Sequence, residues 1–107
     1  MKSKLFSEEL VKELNIPELY SQEDEENPMA YVKFFDICSN WTWYVLECQK
    51  QEDGDYLFFG YVMGLENELG YFSLAELESV NSSFPRIERD LYFNPTELSN
   101  IKKKHQE

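Results

Sequence analysis

The stretch from Arg86 to Asp90 combines residue types that can do chemistry. Glu88 and Asp90 alternate along a predicted strand, so both carboxylates should lie on one face of it. Two carboxylates on one face can bind a divalent metal or divide the roles of general acid and base. Arg89 should point to the opposite face, where a buried guanidinium needs a carboxylate partner, and Glu47 is one candidate. Glu88, Asp90, Arg89 and Glu47 are therefore the candidate catalytic residues, and a structural ion pair is the competing interpretation.

Two tryptophans, Trp41 and Trp43, are the candidates for ligand binding, because indole rings can stack on a flat ligand. A packed aromatic core is the favoured interpretation of both residues. The sequence contains no metal-ligand signature, no glycine-rich phosphate loop and no cofactor motif. We therefore predict no metal and no cofactor. The single histidine, His105, lies near the chain end and is predicted to be exposed.

The charge of the chain is strongly negative, −11, with 21 acidic and 10 basic residues. From Asp36 to Pro85 there are nine acids and one base, Lys50. Since each neutralised phosphate requires a lysine or arginine, direct nucleic-acid binding through this region is disfavoured. The basic run Lys102–His105 is expected to complement the dipole of a C-terminal helix. The predicted partner is another protein.

The length of 107 residues predicts a single domain, residues 1–107, with an aromatic core. No apolar run is long enough for a bilayer span, and residues 1–8 turn acidic before a signal-peptide core develops, so we expect a cytoplasmic protein without a membrane segment. Cys38 and Cys48 are predicted to be buried reduced thiols, and a disulfide between neighbouring strands is the alternative.

Three helix starts have similar chemistry. Ser73 with Glu76 forms a capping box, and Asn94-Pro95-Thr96-Glu97 predicts a second helix start with Asn94 as the cap. Ser7 predicts the start of the first helix, which should end at Pro17.

Aromatic and β-branched runs predict four strands between the first and second helices and a fifth after the second. The predicted strands are 31–35, 41–48, 56–64, 69–72 and 86–92. The order α-ββββ-α-β-α predicts an α+β fold with an antiparallel meander of four to five strands and three helices, and it leaves the strand order and the oligomeric state open. Asp53-Gly54 predicts a hairpin turn.

Alternation along the second strand places Trp41, Trp43, Val45 and Glu47 on one face and Cys48 on the other. Residues 21–27 read as a polar acidic loop and are the best candidate for local disorder, together with the tail after about residue 104.

Several sequence blocks resemble one bacterial family, catalogued as domain of unknown function 2958 (DUF2958). The blocks are Val32–Phe35, Trp43–Glu47, Asp53–Asp55, Phe59–Gly60, Glu68–Glu78 and Pro85–Phe93. The resemblance covers roughly residues 28–93. It implies a bacterial protein of the kind often encoded on plasmids, conjugative elements or phages. Some members are labelled single-stranded DNA endonucleases, but no catalytic motif in this sequence supports that label.

Two hypotheses of different class follow. The leading one is a non-enzymatic interaction module, an acidic accessory protein of a mobile genetic element, and its sharper version is a mimic of DNA charge that occupies a basic surface. The alternative is a metal-assisted hydrolase or single-stranded DNA nuclease that uses the Arg/Glu/Asp cluster. Convergence of Glu88, Asp90, Arg89 and Glu47 in one cleft would favour the enzyme, and their dispersal would favour the binding module.

Overall fold

The computed structural model describes residues 3–105, which form three helices, a five-stranded antiparallel sheet and a two-stranded sheet. The helices are α1 Glu8–Leu14, α2 Leu74–Asn81 and α3 Leu98–His105. The strands are β1 Met29–Ala30, β2 Val32–Asp36, β3 Thr42–Lys50, β4 Tyr56–Met63, β5 Asn67–Ser73, β6 Ile87–Arg89 and β7 Thr96–Glu97. The predicted α+β class with a leading helix and a strand meander is confirmed.

The large sheet has the order β5-β4-β3-β2-β6. Strands β2 to β5 follow one another as hairpins, and β6 returns to pair with β2 at the other edge. The predicted turn between β3 and β4 is confirmed: Gly54 has φ 90°, and its N–H donates to the Gln51 carbonyl at 3.0 Å. The last predicted strand, 86–92, is shorter than expected because Asp90 starts a turn by accepting from the N–H groups of Tyr92 and Phe93.

Two helix starts agree with the sequence. The Ser7 hydroxyl accepts from the Leu10 N–H at 3.2 Å, and the Ser73 hydroxyl accepts from the Glu76 N–H at 3.1 Å. Both serines satisfy amides that the first helical turn leaves without a partner. Helix α1 ends earlier than predicted, at Asn15 with φ 55°, and does not extend to Pro17.

The predicted start of the third helix at Asn94 is wrong. Thr96–Glu97 instead forms β7, which pairs with β1, and α3 begins at Leu98. The amide of Ser99 donates to the Asn27 side-chain oxygen at 2.9 Å, so a residue from a distant loop satisfies the first turn of α3. A local capping pattern could not predict this start, because the partner lies elsewhere in the chain. Helix α3 continues to His105, and the remainder of the predicted disordered tail, residues 106–107, lies outside the described residues.

A β-bulge interrupts β3. Val45 pairs with Gly60 and Glu47 pairs with Phe59, so Leu46 is an extra residue without a partner. Gly60 is required opposite the bulge, since a Cβ there would lie 1.8 Å from the Tyr44 carbonyl oxygen.

The bulge overturns the predicted faces of β3. Glu47 lies on the face of Phe59, opposite to Val45 with which strict alternation grouped it. Cys48 correspondingly returns to the face of Val45. An extra residue shifts the side-chain period by one, and single-strand alternation does not reveal it.

The sheet has a different core on each face. The first core lies under α1 and α2 and contains the fully buried Phe6, Phe34 and Phe58. Phe6 packs edge-on against Phe58, with ring centroids 4.9 Å apart. The second core lies under α3 and is smaller; its buried residues are Ala30, Tyr44, Leu46, Tyr61, Leu98 and Ile101. Of the helices within residues 3–105, none is both long and apolar enough to cross a membrane.

Candidate functional site

The candidate residues of β6 lie on two faces, as predicted. Arg89 pairs with Phe34 and Glu88 with Phe35, so their side chains point to opposite sides of the sheet. The Arg89 guanidinium donates to the Leu5 carbonyl at 3.2 Å, and Asp90 lies 3.9 Å from the Lys33 ammonium. Arg89 therefore holds the N-terminal segment on the first core.

Glu47 is buried, and it binds the backbone of the loop that follows α1. Its carboxylate oxygens accept from the N–H groups of Tyr20 and Gln22, both at 2.7 Å. Its side chain is almost fully enclosed, at 3% exposure. Tyr20 has φ 71°, a conformation that costs a bulky residue roughly 1–2 kcal/mol, and the bond to Glu47 offsets that cost. The structure therefore assigns Glu47 to the loop and not to an ion pair with Arg89.

The structural ion pair that the sequence predicted is made by other residues and is partly buried, since the Asp36 side chain is enclosed and that of Arg86 is one-third exposed. The Arg86 guanidinium lies 2.9 Å from the Asp36 carboxylate and also donates to it through Nε at 3.0 Å. The hydrogen bond from Arg86 holds the pKa of Asp36 below its ordinary value of 3.8, against the effect of burial. Asp36 is the last residue of β2, in which every second residue is buried: Val32, Phe34 and Asp36. This period-two pattern was the signal in the sequence that could have placed Asp36 on the buried face.

Glu47 is thus separated from the other three candidates, whereas Glu88, Arg89 and Asp90 line one open surface pocket of about 350 Å³ beside Lys33. Within residues 3–105 no three His, Cys, Asp or Glu side chains are grouped so that they could hold a metal ion. Metal-assisted hydrolysis needs such a ligand set to activate water. The described part of the chain does not assemble one from Glu88, Asp90, Arg89 and Glu47.

The two tryptophans pack against the protein. Their ring centroids are 5.8 Å apart, and Trp41 lies over Gly64, where a Cβ would approach its ring to 2.4 Å. Trp43 packs against the first core, and Trp41 keeps 37% of its surface exposed. Contacts with the protein itself therefore cover most of both indole rings.

The cysteines are both free. Cys48 is buried, and burial raises its pKa to about 11, so its thiol is protonated and unreactive at neutral pH. Cys38 lies exposed in the turn after β2, contrary to the predicted burial.

The acidic segment 21–27 is held at several points, although the sequence predicts local disorder there. The Gln22 amide nitrogen donates to the carbonyls of Leu46 at 2.9 Å and Met29 at 3.1 Å, and its oxygen accepts from the Met29 N–H at 2.7 Å. Together with the two bonds to Glu47, these contacts fix the segment over the α3 face of the sheet. The sequence missed this because both anchors are long-range.

The fixed segment forms one wall of a groove of about 370 Å³, which we call the acidic groove. Its rim carries three exposed carboxylates, Glu23, Glu25 and Glu26, and its floor is formed by sheet residues Phe59, Leu69 and Tyr71. The rings of Phe59 and Tyr71 are 5.0 Å apart. A groove of this size with an aromatic floor is typical of ligand sites. Phe59, Leu69 and Tyr71 were not among the predicted site residues, although they alternate with core residues along β4 and β5.

The electrostatics of the acidic groove favour positive charge. The pKa of Tyr71 is raised, first by the Tyr20 hydroxyl beside it, then by burial and by the negative charges of Glu47 and Glu23. One cation of the chain already lies at the α3 side of the groove, where the Lys102 ammonium is 5.4 Å from the centre of the Tyr61 ring. Acids and aromatic faces together attract cations.

A tyrosine–histidine pair lies at the end of α3. The Tyr44 hydroxyl is 2.7 Å from Nε2 of His105. Burial, with further contributions from Asp90 and Tyr61, raises the pKa of Tyr44 to about 12, and burial together with Lys33 and Lys104 lowers the pKa of His105. Both groups are therefore neutral at pH 7. The pair fastens the last turn of α3 to the sheet, and His105 is exposed, as the sequence predicts.

The chain matches a family model over residues 5–105, and the description of that family is Protein of unknown function (DUF2958). The chain belongs to the DUF2958 family. The match extends beyond the predicted 28–93 and includes α1, the acidic segment and α3. Both walls of the acidic groove therefore lie within the DUF2958 region. No curated protein and no solved structure matches the chain.

Proposed function

We propose that this protein is an interaction module that binds a positively charged segment of another protein in the acidic groove. The observation that carries the proposal is the fixed backbone at the start of residues 21–27, which places the exposed carboxylates of that segment beside an aromatic floor. A solvated acidic loop would need no buried glutamate to anchor it. Here Glu47 is buried to hold the backbone from which that rim extends.

The groove offers two attractions to a lysine or arginine side chain. Tyr71 and Phe59 present ring faces, and a cation over such a face gains roughly 0.5–1 kcal/mol at an exposed site. The rim carboxylates supply ion pairs worth roughly 0.2–1 kcal/mol each. The net charge of −11 adds long-range attraction, which accelerates encounter with a basic partner.

The setting we propose is that of an accessory protein of a bacterial mobile genetic element, in the cytoplasm. The family resemblance supports the setting, and the two free cysteines agree with a reducing compartment. A partner whose basic surface normally contacts DNA fits the charge of this chain, which then acts as a mimic of DNA charge. In this role the protein competes with nucleic acid and does not bind it.

The test is fluorescence anisotropy with a labelled peptide of sequence Arg-Thr-Arg-Thr-Arg-Thr-Arg, hereafter the Arg-Thr peptide. The variant combines Glu23→Gln, Glu25→Gln and Glu26→Gln. Its matched control combines Glu13→Gln, Glu52→Gln and Glu88→Gln, which remove the same charge from exposed residues outside the groove. We expect the groove variant to lose about tenfold in affinity, since three exposed ion pairs amount to about 1.4 kcal/mol, and the control to lose less than about threefold.

Equal losses in the two variants would show attraction by overall charge and would refute binding in the groove. The DNA-mimic version has its own measurement, in which the protein is added to a labelled DNA duplex held by the Arg-Thr peptide. Release of the duplex by the wild-type protein, and weaker release by the groove variant than by the control, is expected. Identical release by both variants would contradict this version.

A further inference from the structure

The acidic groove opens at a free sheet edge. Strand β5 lies at the end of the strand order and is paired with β4 alone among the strands of residues 3–105. Half of the backbone N–H and C=O groups of an edge strand point away from the sheet and can pair with another chain. β5 contributes Leu69 and Tyr71 to the floor of the groove, so the free edge and the groove are parts of one surface.

The two edges of the sheet differ in their protection. β6 has three residues, which is too short to offer a useful template. β5 has seven residues, contains neither lysine nor proline, carries the single charged residue Glu68, and exposes Leu69 at 48% and Tyr71 at 52%. Proteins usually protect an edge of this length with such residues or with a bulge. β5 is left available for pairing.

We propose that the partner segment is an extended strand that pairs with the free edge of β5 and directs a basic side chain at every second position into the acidic groove. This inference rests on the proposed function, because it specifies how the basic segment binds. It adds a backbone conformation and a residue pattern that charge attraction alone does not require.

The geometry follows from strand alternation. Tyr71 and Leu69 pair with Phe59 and Tyr61, so they share the face that α3 covers. A strand added beside β5 places alternate side chains on that same face, within reach of these two residues. An arginine there contacts the Tyr71 ring and faces the rim carboxylate of Glu23, whose charge already acts on Tyr71. Main-chain bonds then supply affinity, and the groove selects the basic residue.

The opposite face of β5 leaves room for the residues in between. A Cβ added at Gly70 would meet no atom within 4 Å, and Gly70 pairs with Gly60 on the side of the first core. Small or medium side chains of the partner can therefore lie beside β5 on that side without a clash. The Arg-Thr alternation of the peptide probe matches this requirement.

A second copy of this chain is the less suitable occupant. Pairing of β5 with β5 would bring together two molecules that each carry a charge of −11, with Glu68 in both edges. Like charges opposite one another destabilise strand pairs. A basic strand would instead be attracted by the negative charge of this protein and of Glu68 in β5.

The experiment uses two N-methylated forms of the Arg-Thr peptide, one methylated at the threonine amides and the other at the arginine amides. In a paired strand, alternate amides face β5 and the others face solvent. We expect one form to lose at least about tenfold in affinity and the other to stay within about threefold of the unmethylated peptide. Hydrogen exchange of the wild-type protein should show new protection at alternate β5 amides when the unmethylated peptide is bound.

The outcomes separate this inference from the proposed function. If both methylated forms bind alike and β5 gains no protection, while the rim glutamines still weaken binding, strand addition is refuted and the groove function stands. If the rim glutamines have no more effect than their matched control, the proposed function itself fails. Protection of β5 amides without peptide, together with a dimer in sedimentation, would overturn the inference in favour of a second copy.

Discussion

The two faces of the large sheet differ in how completely they are covered. The first core contains thirteen buried residues and is covered by α1, α2 and the N-terminal segment. The second contains six and is covered by α3 and the small β1–β7 sheet, which leave the acidic groove uncovered. Adjacent residues of β4 illustrate the difference, since Phe58 is fully buried in the first core and Phe59 is half-buried in the groove floor. One face is largely covered, and the other carries the groove in which we propose that a partner binds.

The largest expected effect separates those two phenylalanines. Phe58→Ala should reduce the free energy of unfolding by about 3–5 kcal/mol, because it removes a fully buried ring in contact with Phe6 and Phe72. Phe59→Ala should cost about 1–2 kcal/mol and weaken binding of the Arg-Thr peptide about threefold. Urea unfolding and anisotropy measure the two quantities. Equal destabilisation by both substitutions would remove the distinction between the faces.

The second expected effect concerns the anchor of the acidic segment. Glu47→Gln should reduce the free energy of unfolding by about 2 kcal/mol, since a neutral amide cannot accept both N–H groups as strongly as the carboxylate. Hydrogen exchange should accelerate at the amides of Tyr20 and Gln22. The control is Glu68→Gln, an exposed residue, for which we expect a change within about 0.5 kcal/mol. Unchanged exchange at the two amides would contradict the anchoring role.

The third expected effect is a pH dependence on the side of the first core. Because the folded-state pKa of Asp36 is lowered, its stabilising contribution is complete above the ordinary pKa of 3.8 and is lost as the pH falls through the folded value. Asp36→Asn should cost about 1.5 kcal/mol at pH 7 and progressively less below pH 4. Urea unfolding of both proteins between pH 2.5 and pH 7 tests this. A difference that stays constant over the range would show that Arg86 does not stabilise the carboxylate.

The smallest expected effect lies in the groove. Lys102→Ala removes the cation of the chain itself from the α3 side and should strengthen binding of the Arg-Thr peptide about twofold to threefold. Lys103→Ala is the matched control, because Lys103 is exposed on the same helix and does not line the groove. Equal strengthening by both changes would indicate overall charge and not the position of Lys102.

Local patterns predicted the parts of this fold that depend on neighbouring residues. The capping serines, Ser7 and Ser73, and the turn at Gly54 are satisfied by groups within four residues. The aromatic strands and the meander followed from composition and turn spacing. The start of α3 was wrong because its amide partner is Asn27, and no local rule connects residues so far apart.

The candidate site was harder to predict for the same reason. The sequence identified the acidic segment, but not that Glu47 fixes it, because the bulge at Leu46 reverses the side to which Glu47 points. The sequence also expected an inward arginine with a carboxylate partner, and the structure provides that pair as Arg86 and Asp36. The sequence could predict that an arginine pairs with a carboxylate, but which two residues do so depends on strand pairing.

The bulge has a consequence for variation in length. In a regular strand, removing one residue turns every later side chain to the opposite face. At position 46 the remaining residues would alternate strictly after a deletion, with Val45 and Cys48 still on the first core and Glu47 still facing the loop. Removing one residue there would not change the face to which the later side chains of β3 point. A one-residue deletion at this point would therefore keep Glu47 directed at the acidic segment, and its cost would be the loss of the buried Leu46 side chain from the second core.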